Sequence, residues 1–400
     1  MKQAKAFTAI LLTGALLAGS LSGCGNKDSA STVSTTPAAG TSIAATTSPT
    51  TTVTPMTASG VTITLSGSTL NVTTGGGSSA SLSDDASAKG LKAGMALTIE
   101  GGIFDLNCAD DAIHSNGNVT IMDGTFEIST GDDAVHADET STISGGTLNI
   151  AKCCEGIEGV SVDISGGEIT IVASNDSLNA ANGTATVPGV GTSDGIIRIS
   201  GGTVCIHASG DGLDSNGDLD VTGGQIYVFS DGMADAALDY DGTATITAGT
   251  VIAVGNSGMA QNFGTNSTQG SILVNFNGNV TGDVSLADSG GNVLATFSPD
   301  GSYNSVVVSC AELTIGKTYP VTDGTQSQTV TLDSLIYGSS NGFGGMGGMG
   351  GPRGQGSFGG PNGDSSFGGS SGFPGRQNSD GSSGAPGGDG FSMPPAPPQQ

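Results

Sequence analysis

The chain contains no tryptophan, aromatic residues make up only 4% of it, and 10 lysines and arginines face 36 aspartates and glutamates. Each scarcity excludes something. A surface at formal net charge −26 repels nucleic-acid phosphates and anionic lipid headgroups, which removes both as binding partners. Without tryptophan, flat stacking on a crystalline glucan surface is poorly supplied, and Tyr227 and Tyr240 are the only tyrosines in the central repeats. Helical periodicity is missing throughout the folded region. Beyond the N-terminus no stretch is long and apolar enough to span a membrane. Apart from Cys24, five cysteines remain: Cys108, Cys153, Cys154, Cys205 and Cys310. Their number is odd and their spacing irregular, so they outline neither a disulfide framework nor a cysteine zinc site. Unpaired thiols on an exported chain suit a reducing or anaerobic setting.

What is present begins with a targeting segment. Lys2 and Lys5 precede a largely apolar run, Ala6 to Leu17, followed by Leu21-Ser22-Gly23-Cys24. This resembles a bacterial lipoprotein signal, residues 1–23, cleaved before a cysteine that takes up lipid; an ordinary secretory peptide is the alternative. Residues 24–60 are rich in Ser, Thr, Ala and Pro and read as a tether from a lipid anchor on Cys24. As a flexible coil it would span roughly 35 Å r.m.s.. Residues 339–400 are rich in Gly, Pro and Ser and read as a disordered tail. The expected location is extracellular, at the membrane of a bacterium.

Between these lies a repeat. "LTIEGGIFDLN" from Leu97, "VTIMDGTFEIS" from Val119, "STISGGTLNIA" from Ser141, "VDISGGEITIV" from Val162, "IRISGGTVCIH" from Ile197, "LDVTGGQIYVF" from Leu219 and "ATITAGTVIAV" from Ala244 align on their glycines. Steps of 22, 22, 21, 35, 22 and 25 residues separate them, the long step holding an insertion at 183–195. Apolar residues alternate in each unit, and Ile99, Ile121, Ile143, Ile164, Ile199, Val221 and Ile246 share one column. Period-two alternation means strands, and three short strands plus turns fill about 22 residues. One unit cannot bury its apolar side, whereas stacked units can. The chain is therefore all-β: a right-handed parallel β-helix over 61–270, one coil per repeat, handedness following the general rule for parallel crossovers. A β-sandwich is the rival, but it does not require seven equally spaced units. Residues 271–338 leave the period and read as a β-rich cap.

Nine residues after the glycine anchor stand Asp111, Asp133, Glu155, Asp176 and Asp211, with Asp110 and Asp132 beside the first two. Coils stack about 4.8 Å apart. Carboxylates at that spacing repel by roughly 3–4 kcal/mol per pair at an effective dielectric near 20. The coils supply few basic side chains to relieve this, so the column reads as a set of Ca2+ ligands: Asp110, Asp111, Asp132, Asp133, Glu155, Asp176 and Asp211. Turn-forming use of each Asp is the alternative. A second, outward column holds His114, His136, Glu158, Asn179, Asp214 and Asp239. With Tyr240, its residues His114, His136, Glu158, Asp214 and Asp239 are candidates for contact with a carbohydrate. Plain polar surface is the competing reading for the two histidines.

The segments "GLKAG", "DDAIHSNG", "GDDAVHAD", "EGIEG", "DGLDSNG", "ALDYDG" and "SGMAQNF" resemble, in order, those of a clostridial carbohydrate-binding β-helix family. The resemblance runs from about Lys89 to Tyr319. It implies a surface protein that binds cellulose and pectic acid and holds calcium, with a fold similar to pectate lyases. The chain departs from the family at Cys153-Cys154, where an aromatic is usual, and in "SNDSLNA" at 174–180, where Asn175 and Ser177 replace an acid and a glycine.

Three classes compete. The first is a calcium-dependent binder, expected as a monomer, of acidic polysaccharide such as polygalacturonate, with cellulose as a second ligand; it carries no catalytic residues. The alternative is a calcium-dependent pectate lyase, which needs a base such as Lys152 near the substrate C5 proton. Beside Glu155, Lys152 reads better as a salt-bridge partner. The third class is an ice-binding solenoid. Its threonine column, Thr98, Thr120 and Thr142, breaks at Asp163, Arg198 and Asp220, which argues against a regular plane.

Overall fold

The computed structural model describes residues 62–83, 86–182 and 195–338, with the backbone of three further strands, Ser42–Ala45, Thr51–Thr52 and Met56–Ala58. The segment read as a signal, Cys24, the Gly-rich tail and nearly all of the 183–195 insertion lie outside the described residues. Among the described residues every regular element is a strand.

One coil consists of Ala96–Ile99, Gly102–Cys108 and Ile113–Ser115; the next repeats it with Asn118–Ile121, Thr125–Thr130 and Val135–Ala137. Equivalent strands pair in parallel and in the register set by the glycine alignment: Ile121 with Ile143, Phe126 with Phe104, Val135 with Ile157. The result is the parallel β-solenoid expected from the repeat. The third strands form their own eight-stranded parallel sheet, which ends at Leu238–Tyr240.

The solenoid starts earlier than the glycine pattern suggests. Thr62–Leu65, Ser68–Thr74 and Leu91–Ala93 form a complete coil that pairs with the one after it. Its corner reads Gly67-Ser68 instead of Gly-Gly, and a long connection separates its second and third strands. Farther upstream, Ser42–Ala45, Thr51–Thr52 and Met56–Ala58 pair in parallel with this coil, so backbone within the stretch read as tether continues all three ladders. Threonine, abundant there, suits strands.

The paired glycine is a corner. Gly146 has φ 90° and Gly224 φ 91°, conformations that L side chains rarely adopt. A Cβ on Gly146 would also lie 2.8 Å from the Gly124 carbonyl oxygen of the previous coil. Inside, the aliphatic columns are fully buried from Ile63 to Val251, and Phe104 stacks on Phe126 with centroids 4.5 Å apart. Burial at roughly 1.5–3 kcal/mol per large side chain is what holds such coils together.

At the C-terminal end, Tyr303–Ser309 pairs antiparallel with both Thr250–Gly255 and Ser271–Val280. A separate four-stranded antiparallel sheet, Val284–Ala287, Val293–Phe297, Thr318–Thr322 and Ser327–Thr331, packs beside it. The antiparallel strand closes the last parallel ladder and removes an open edge. A second apolar cluster that includes Phe229, Val254, Phe297 and Tyr303 joins cap to solenoid.

Candidate functional site

Each third strand is only three residues long, with its outer positions turned inward and its middle residue outward. The middle positions pair coil by coil: Lys92, His114, His136, Glu158, Asn179, Asp214 and Asp239. The preceding turns stack as well. The Asp111, Asp133, Glu155, Asp176 and Asp211 carbonyls each accept from the backbone of the neighbouring coil, at 2.8–3.1 Å. Both columns inferred from spacing are thus physical columns, side by side on one flank. Their chemistry changes along the axis.

At the N-terminal end the acids are compensated. Lys89, one coil earlier, places Nζ 2.9 Å from Asp110 Oδ1 and also donates to Asp111 Oδ2. Asp110 accepts from the Ala88 and Asp111 amides as well. His114 Nδ1 meets Asp111 Oδ2 at 2.7 Å. Burial opposes ionisation of Asp111, yet His114 and Lys89 hold it well below the usual carboxylate range. Asp111 Oδ1 is buried without a hydrogen-bond partner, on a residue 1% exposed. Asp110, Asp111 and Asp132 bring one oxygen each within 4.8 Å of one another. Asp132 lies at the exposed side of the cluster, and its pKa is raised by partial desolvation and then by the charges of Asp111 and Asp110.

In the next coils His136 Nδ1 lies 2.8 Å from Asp133 Oδ2 and 2.7 Å from Glu158 Oε2. Burial disfavours the His136 cation, but the two carboxylates prevail and push its pKa up to about 11. Burial, with Asp111 and Glu158 nearby, raises Asp133. The imidazoles of His114 and His136 stack at 4.8 Å and 16°. Glu155 is held by the Asn179 side-chain amide at 2.7 Å and that of Asn175 at 3.2 Å.

The C-terminal half lacks such compensation. Among the described residues, none of Asp176, Asp211, Asp214 and Asp239 forms an ion pair. Burial, then neighbouring carboxylates, push Asp211 to about 7 and Asp214 to about 8, and raise Asp176 and Asp239. Asp235 and Asp241 add further negative charge to this end.

One expectation needs correcting: Lys152 does not pair with Glu155, but sits at an irregularity of the second strand, and its ammonium donates to the Ser78 carbonyl. Tyr240 is half-buried: it packs against the core, and its hydroxyl donates to the Asn262 carbonyl at 2.6 Å. Two further residues touch the columns: Asp138, from the polar turn that follows the third strand, and Lys89, which stands one coil length before Asp110. The five cysteines among the described residues are free thiols, four of them buried.

A parallel solenoid with a continuous carboxylate flank defines a class of protein that presents fixed oxygen donors along a rigid axis. A family model described as "Carbohydrate-binding domain-containing protein" matches residues 38–134 and 133–291, more than half of the chain. The chain belongs to that family, and carbohydrate binding is its function in coarse terms. Comparison with the curated proteins and with the solved structures gave no significant match.

Proposed function

We propose that the protein binds acidic plant cell-wall polysaccharide, pectate first and cellulose second, at the bacterial surface, with calcium on the acid columns as the bridge. The observation that carries this reading is the buried, unpartnered Asp111 Oδ1 beside Asp110 and Asp132. A buried carboxylate oxygen without a donor is costly unless a cation or water serves it. The donors are all oxygen, as calcium prefers. Toward the C-terminus, Asp176 and Asp211 form no ion pair among the described residues, and their mutual repulsion favours a cation there as well. Bound calcium supplies positive charge for uronate carboxylates that the bare protein would repel. The lipobox-like sequence at Cys24 supports anchorage to the membrane outside the cell.

The test is retention on immobilised polygalacturonate with calcium and with EDTA. Loss of retention in EDTA, and in Asp111→Asn with Asp132→Asn, is the expected result. Retention indifferent to EDTA would replace the calcium bridge by direct recognition of neutral sugar.

A further inference from the structure

The two stacked histidines are arranged differently from the acids around them. Their Nε2 atoms approach one carboxylate oxygen: Asp138 Oδ1 lies 3.3 Å from His136 Nε2 and 4.0 Å from His114 Nε2. Asp138 is steadied by the Asn116 side-chain amide of the previous coil, at 3.0 Å from its other oxygen. Behind the rings, each Nδ1 is held by a buried carboxylate, Asp111 for His114 and Asp133 for His136, with Glu158 also on the latter. A carboxylate on Nδ1 fixes ring orientation and makes Nε2 more basic, the usual support for a metal-binding imidazole. His114 Nε2 is itself buried without a hydrogen-bond partner, on a residue only 6% exposed. Leaving such an atom unserved is unfavourable. Nitrogen donors of this kind suit zinc, copper or nickel and do not suit calcium.

We propose that His114, His136 and Asp138 form a binding site for one divalent transition-metal ion of the zinc class, separate from the calcium-binding acids. The neighbouring coils place Lys92 and Glu158 at the histidine position, so the two-nitrogen set occurs once in the column. Ligation at about 2.0–2.1 Å per nitrogen requires the stacked rings to tilt toward Asp138 and His136 Nε2 to give up its proton to solvent, since the carboxylates on Nδ1 otherwise hold that ring charged. Only side chains move in this step, because the strands beneath are locked in register. The inference does not rest on the polysaccharide reading.

Calorimetry of the full chain with zinc chloride, in excess calcium, tests it, together with cobalt(II) absorbance as a report of nitrogen ligation. One zinc per chain is expected, unaffected by calcium, with cobalt bands that zinc abolishes. His114→Ala and His136→Ala should each weaken zinc binding by roughly tenfold or more. Asp138→Asn, at an exposed carboxylate, should weaken it without disturbing the fold, which covers the case in which a histidine variant misfolds. Asp110→Asn should leave zinc affinity unchanged while altering retention on pectate. Zinc binding that survives all three ligand substitutions, or that equimolar calcium displaces, overturns the proposal.

Discussion

Lys89 and Asp110 stand 21 residues and one coil apart, and their side chains meet at 2.9 Å. The acid column thus begins beneath a cation, and among the described residues no further lysine or arginine pairs with it toward the C-terminus. Lys89 is 16% exposed and its ammonium titrates above its ordinary value: burial opposes this, but hydrogen bonds to Asp110 and Asp111 outweigh it. Removing one partner of such a pair strands the other charge. Lys89→Met should lower stability by about 3 kcal/mol, and added calcium should recover more of that loss than it adds to the parent. Thermal unfolding with calcium and with EDTA measures both; a variant as stable as the parent would show that the contact carries no weight.

The uncompensated end should make stability depend on pH. With folded-state values near 7 and 8, Asp211 and Asp214 bind protons in the folded chain that the unfolded chain has already released. Their favourable contribution is complete below the ordinary carboxylate value and is lost as pH rises through 7 and 8. Asp133, raised for the same reason, adds to this slope. His136 adds to it above about pH 6.5, where the unfolded imidazole has released its proton and the folded one, raised to about 11, has not. Asp110, lowered overall, loses its contribution only in acid. In EDTA the melting temperature should fall between about pH 5 and about pH 8, and Asp211→Asn with Asp214→Asn should flatten most of that fall. Calcium should flatten it as well.

The stack predicts two kinds of structural damage. Phe126→Ala removes a fully buried ring stacked on Phe104 and should cost about 3–5 kcal/mol. Gly146→Ala adds one methyl where φ is 90° and a carbonyl oxygen is 2.8 Å away, and should cost about 1–3 kcal/mol. Denaturant titration of both variants checks the values; a neutral Gly146→Ala would mean that the corner is not held in the left-handed region.

The glycine register and the alternating apolar columns made the solenoid legible, because a strict repeat allows one stacking. The coil from Thr62 to Ala93 lies inside the span assigned to the β-helix but could not be aligned as a further unit, because its corner has Ser68 where others have glycine and a long connection breaks its spacing. The columns of the site were legible for the same reason as the fold: equal spacing places Asp111 over Asp133 and His114 over His136. Side-chain conformations were not. Spacing does not tell that His136 turns Nδ1 toward both Asp133 and Glu158, that Tyr240 folds back to Asn262, or that Lys152 reaches Ser78 instead of Glu155. These depend on which rotamer satisfies the most buried polar atoms, and that choice involves residues far apart in sequence.

Lys152 decides between binding and cleavage. Elimination from a uronate requires a basic group at the C5 proton while calcium neutralises the carboxylate. Lys152 stands on a second strand, not in the third-strand column, and its ammonium donates to the Ser78 carbonyl. Lys89 is at the column but is a protonated ammonium engaged by two aspartates. Neither is a free base facing the acids. Incubation with polygalacturonate and calcium should therefore produce no ultraviolet absorbance of an unsaturated uronate, and Lys152→Ala should leave retention on the polymer within about twofold, since exposed side chains remote from a site contribute little. A steady rise in absorbance that Lys152→Ala abolishes would make the protein a lyase and would require the loop at Ser78 to release that lysine during turnover.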